Sequence, residues 1–171
     1  MTGTGQDTSG GTSSDLAAAV AQILTPDGTV AGAGFLVTET VVVTCAHVVE
    51  AAGSGPGGAV LLAFPRVEGA ERVQGEVPTG LWRGAEREDV AFIRLAATPA
   101  GARLLPLGSA DGCRGHGVRS YGFPAQAPPE GHYGSGVVSD VLRATDGRSA
   151  LLQLTDANDL TTGFSGCLLY T

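Results

Sequence analysis

Lysine is absent from the 171 residues. All ten basic side chains are Arg, standing singly along the chain against 17 Asp and Glu, for a formal net charge of −7. Nucleic acid and anionic membrane surfaces are held by clustered cations, so neither is expected as a partner. Nowhere does an apolar run reach the roughly 20 residues that a membrane-spanning helix needs. The opening stretch from Met1 to Asp7 offers neither a basic n-region nor an apolar h-region. Cysteine is scarce as well: Cys45, Cys113 and Cys167 cannot all pair among themselves, which argues against a disulfide framework and suits a reducing compartment. The expectation is a cytoplasmic chain. Aromatic residues make up only 5%, so the core must be built from Val, Leu, Ile and Ala.

What is plentiful points to strands and turns. Glycine occurs 27 times and proline 9 times in a chain that is 43% hydrophobic and 16% charged, a balance of globular, turn-rich β-structure. Residues 1–14 are rich in Gly, Ser and Thr with almost nothing apolar, and read as a tail that cannot offset the entropy of being ordered. Thereafter short apolar or alternating segments are punctuated by turn residues, the pattern of consecutive antiparallel strands. Six are predicted before a connector at Ala96 to Pro106: Val20 to Leu24, Val30 to Val37, Val41 to Cys45, Ala59 to Phe64, Val73 to Val77 and Val90 to Leu95. Four follow it: Val118 to Gly122, Tyr133 to Val141, Leu151 to Leu154 and Gly166 to Tyr170. The only hint of a helical period lies near Asp15 to Ala21. The fold class expected is all-β, divided into residues 15–98 and 99–171.

Three strings carry the chemistry: Thr44-Cys45-Ala46-His47, Asp89-Val90-Ala91 leading an apolar strand, and Gly163-Phe164-Ser165-Gly166. Each alone is weak, since a histidine after a strand, an aspartate before one and small residues in a turn are all commonplace. In order they describe a nucleophile, a base and an acid. A serine hydroxyl attacks a carbonyl only if a base takes its proton, and the base needs an acid to hold its tautomer and stabilise the imidazolium. Only six residues follow Ser165 and none is His, so the Ser, acid, His order of α/β-hydrolases is excluded. A subtilisin order needs an acid before His47 within an α/β pattern, and Asp7, Asp15 and Asp27 fit it poorly. The order His47, Asp89, Ser165 remains.

On these motifs, with Tyr121-Gly122-Phe123-Pro124 between them, residues 17–171 resemble the trypsin-like, chymotrypsin-fold serine peptidases, particularly the bacterial HtrA-like branch. The resemblance implies two antiparallel six-stranded β-barrels, the first carrying His47 and Asp89 and the second Ser165. It implies an acyl-enzyme serine endopeptidase acting on polypeptide, without cofactor or metal, within a larger protein. The N–H groups of Gly163 and Ser165 would form the oxyanion hole. Phe164 stands where chymotrypsin-type enzymes keep an acid that pairs with a newly cut N-terminus, so no such activation switch is implied. Asp159, six residues before Ser165, matches the position of an acid that selects Arg or Lys, and equally reads as a loop residue of Thr155-Asp156-Ala157-Asn158-Asp159.

Two features depart from the family. After Gly166 the chain reads Cys167-Leu168-Leu169-Tyr170-Thr171, so the second barrel is expected to be incomplete, with four of six strands, unless further domains or a partner chain complete it. An unpaired strand edge would then be exposed. The alternative function is a catalytically inactive barrel that binds protein. The same residues also admit a Cys2His2 metal site from Cys45, His47, Cys113 and His116, against the plainer reading of Cys45 as a small apolar residue at a strand end.

Overall fold

The computed structural model describes residues 13–105, 107–109, 111–124, 129–143, 150–158 and residue 165. Nine strands dominate: β1 (Val20–Leu24), β2 (Val30–Thr38), β3 (Val41–Thr44), β4 (Ala59–Ala63), β5 (Val73–Glu76), β6 (Ala91–Leu95), β7 (Gly117–Gly122), β8 (His132–Arg143) and β9 (Ala150–Asn158). Helices α1 (Ser13–Ala19) and α2 (Ala46–Ala51) and a 3-10 turn at Thr79–Leu81 interrupt them. The described residues are therefore mostly β. Residues 1–12 of the expected tail, and the strand expected at Gly166 to Tyr170, lie outside the described residues.

The first six strands close into a barrel in the order β1-β2-β3-β6-β5-β4, with β4 returning to β1. Alternation explains the closure. In β3, β4 and β6 every second side chain (Val42 and Thr44; Val60 and Leu62; Ala91, Ile93 and Leu95) is buried, so one face of each strand lines the interior. There they meet Ile23, Leu36 and Val77 in a single core. The barrel is narrow where β5 meets β6: a Cβ on Gly75 would fall 2.3 Å from Ile93 Cγ2, so only glycine fits.

Strand β1 breaks the alternation, being buried at all five positions. Its inner residues Ala21 and Ile23 belong to the barrel core. Its outer residue Val20 packs in a second cluster with Leu16 and Ala17 of α1, Phe35, Leu105, Tyr121 and Phe123. That cluster joins the barrel to a three-stranded antiparallel sheet, β7-β8-β9. Tyr121 sits edge-on to Phe123 and Tyr133, at 5.8 and 4.7 Å between ring centroids. The buried Gln22 side chain reaches out of the barrel and donates to the Pro129 carbonyl at 2.8 Å.

Strand β9 runs well past the predicted Leu154. Thr155 and Asn158 pair with Val137 and Ser135 of β8, and the register shift between those two residues lets Asp156 take a left-handed φ of 49°. A bulge thus carries the ladder through polar residues that read as a loop.

Candidate active site

The site begins where β3 ends. Thr44 is the last residue of β3, and its buried hydroxyl donates to the Ala33 carbonyl at 2.6 Å, locking the strand end to β2. Cys45 then stands at the N-cap of α2 without giving the helix a side-chain cap bond. Ala46, Val48 and Val49 are fully buried beneath the helix, which leaves His47 facing outward with 44% of its side chain exposed.

Asp89 arrives from the neighbouring strand. Thr44 pairs with Ala91, so continuing that antiparallel register sets Asp89 beside the start of α2. A tight loop presents it: Arg83 and Val90 exchange both backbone hydrogen bonds, and the Asp89 and Arg87 N–H groups both donate to the Gly84 carbonyl. The turn leaves Asp89 with φ of 53°, a left-handed conformation that aspartate tolerates better than most side chains.

The two residues clasp each other. His47 Nδ1 lies 2.6 Å from Asp89 Oδ2, and the His47 backbone N–H donates to Asp89 Oδ1 at 3.0 Å. The second bond satisfies a first-turn helix N–H that Cys45 does not cap. Partial burial is the largest influence on the Asp89 carboxyl and pushes its pKa up. Hydrogen bonds from the His47 backbone and ring, the His47 charge and the Cys45 thiol together outweigh it, so the net displacement is below the ordinary aspartate value. Asp89 is thereby held as the carboxylate. A proton shared with Nδ1 leaves Nε2, the outer ring nitrogen, as the basic one.

Ser165 comes to the same end of the barrel. β2 outruns β3: its last pairing with β3 is Gly34 opposite Thr44, and one residue earlier the Ala33 N–H donates to the Ser165 carbonyl at 3.0 Å. Gly32 marks the closeness of the join. A Cβ there would fall 2.7 Å from Val48 Cγ2 and 3.2 Å from the Ser165 carbonyl oxygen, so residue 165 and the residue after His47 flank the same point. Of the other site residues predicted from sequence, Gly163 and Asp159 lie outside the described residues.

Cys45 is the residue that sequence reasoning undervalued. It is partly buried rather than fully so, and its thiol hydrogen-bonds Asp89. The only signal was its Cys-x-His spacing. Ligand atoms of Cys45, His47 and Asp89 all lie within 4.8 Å of one another. The four-residue metal set does not assemble, because Cys113 is buried against Val118 and Val138 beneath the second sheet.

Comparison with known proteins agrees with this architecture. An HtrA-type protease, AlgW, solved with a decapeptide, superposes with a TM-score of 0.65 at 18% identity over 91% of this chain and 53% of its own. This chain thus spans about half of AlgW. A serine-to-alanine mutant of Rv3671c from M. tuberculosis H37Rv, in an inactive form, gives 0.63 at 21% identity over 90% of this chain and 72% of its own. The Rv3671c protease in its inactive form gives 0.64 at 19% identity, with the same coverage. No curated protein matches the sequence. The trypsin-like peptidase domain family matches residues 32–171, from within β2 onward. With that match spanning most of its length, the chain belongs to the trypsin-like peptidase domain family.

Proposed function

We propose that the chain is a serine endopeptidase module in which His47, Asp89 and Ser165 act as the catalytic triad. Ser165 Oγ attacks the carbonyl carbon of a peptide bond while His47 Nε2 takes the hydroxyl proton. Asp89 holds the Nδ1–H tautomer and stabilises the imidazolium that forms. His47 then returns the proton to the leaving amine, and water hydrolyses the acyl-enzyme by the same steps in reverse roles. The N–H groups of Gly163 and Ser165 hold the oxyanion, each such donor contributing on the order of 10²–10³ in rate. The sheet β7-β8-β9, in this reading, belongs to a second barrel that presents the nucleophile to the first. A polypeptide substrate fits both the chemistry and the decapeptide found with AlgW.

The observation that carries the proposal is the two-point clasp between His47 and Asp89, at 2.6 and 3.0 Å, at the barrel end where the Ser165 carbonyl is bound. A merely structural aspartate has no reason to hold an exposed imidazole by its ring as well as its backbone. A fluorophosphonate probe provides the test. Covalent labelling of the wild type that disappears in Ser165→Ala is expected; equal silence from both proteins would leave a barrel that binds protein without cutting it.

A further inference from the structure

One side chain at the proposed active site has no part in that mechanism. Hydrolysis by a Ser, His, Asp triad needs no thiol, yet Cys45 stands two residues before the base with its Sγ hydrogen-bonded to Asp89. A thiol, an imidazole and a carboxylate converge, with ligand atoms within 4.8 Å of one another, on side chains that water reaches. Among the described residues no other group of three His, Cys, Asp or Glu side chains meets that condition.

We propose that Cys45, His47 and Asp89 form an inhibitory binding site for a borderline-soft divalent cation of the Zn2+ type. This inference rests on the triad reading for its consequence, not for the binding itself. Zinc takes thiolate, imidazole and carboxylate ligands in tetrahedral array, at about 2.3 Å for sulfur and 2.0–2.2 Å for nitrogen and oxygen. Ligand atoms in such a site stand about 3.3–3.7 Å apart. The three ligand atoms already lie within 4.8 Å of one another, and the Nδ1 and Oδ2 pair, at 2.6 Å, must open to reach that spacing. The bond from the His47 N–H to Oδ1 remains and orients the carboxylate as an outer-sphere partner would. Three protein ligands leave the fourth position to water.

Coordination rearranges the protons. The Cys45 thiol gives its proton to solvent and binds as thiolate. His47 binds through Nδ1, so its ring proton moves to Nε2 and the imidazole stays neutral. With Nε2 protonated, His47 cannot accept the Ser165 proton, and Asp89 no longer supports the tautomer that catalysis needs. The cation thus stops the relay by occupying its inner side, without touching the serine or the substrate.

Calorimetric titration of the full chain, stripped with chelator, against Zn2+ alone is the test. Wild type is expected to bind one ion with a micromolar dissociation constant. Cys45→Ser, which keeps a hydroxyl donor for Asp89 but lacks the soft ligand, is expected to bind at least tenfold more weakly, and Cys113→Ser as tightly as wild type. Absence of stoichiometric binding, equal affinity in Cys45→Ser, or loss that follows Cys113→Ser would overturn the proposal. In parallel, Zn2+ is expected to slow fluorophosphonate labelling of Ser165 in wild type and far less in Cys45→Ser. Labelling blocked equally in both would place inhibition elsewhere and overturn it too. If no protein labels at all while the affinity tracks Cys45, the peptidase reading falls and the cation site stands.

Discussion

At the scale of single residues, Asp89 has two tasks at once: it orients the His47 ring and satisfies the His47 backbone N–H, and it does both from a left-handed backbone conformation. Asn tolerates that conformation as well as Asp does, so Asp89→Asn removes the charge while leaving the turn intact. The new amide would face Nδ1 with a donor and favour the wrong tautomer of His47. The expected outcome is a fall in kcat/KM on the order of 10³–10⁴, with little change in the unfolding midpoint. A large loss of stability alongside the lost rate would instead mean that the carboxylate serves the fold. The partners His47 and Asp89 were legible in the sequence, because chain order excluded the other arrangements. The strain at Asp89 and its contact with Cys45 were not, since both depend on how the loop from Arg83 to Val90 folds back on itself.

At the scale of elements, the six barrel strands could be read closely from short apolar or alternating segments between turns, β1 and β4 almost to the residue, whereas α2 could not be seen. Its residues Ala46 to Ala51 include two β-branched valines directly after a strand of three more, and its N-cap side chain makes no capping bond to the helix. Neither propensity nor capping therefore announces a helix. Burial makes it: Ala46, Val48 and Val49 all enter the barrel core, which only a helical turn allows after β3 has ended. The polar end of β9, beyond the predicted Leu154, escaped notice for the opposite reason, being held by a ladder with a bulge rather than by apolar alternation. The junction of β2, β3 and α2 turns on the Thr44 hydroxyl. Thr44→Val keeps the shape and deletes the donor to the buried Ala33 carbonyl, so a loss of about 1–3 kcal/mol is expected in urea denaturation. An unchanged midpoint would show that the strand end is held without it.

Taken whole, the described residues form a closed barrel and a sheet joined through an apolar cluster, and the buried titratable group at that join is Tyr121. Burial is the main cause that raises its pKa, Tyr133 and Glu130 add to the rise, and the Arg66 charge works against it. Its hydroxyl donates to the Glu130 carbonyl. A phenol whose pKa is higher folded than unfolded stabilises the fold fully below the unfolded value near 10, and loses that contribution as pH climbs through the folded value. Wild type is therefore expected to lose stability above about pH 10 more steeply than Tyr121→Phe, read as melting temperature against pH; parallel curves would refute the assignment. The closed barrel and the presence of a second antiparallel sheet were legible from short apolar and alternating segments, but which faces they join by was not, since β1 is buried on both sides. The link between Ala33 and Ser165 is of another kind, an amide to a carbonyl. Because it is written in main-chain atoms alone, it draws on the chemistry of neither side chain, and at position 33 the one exchange that deletes the donor outright is proline, which has no N–H.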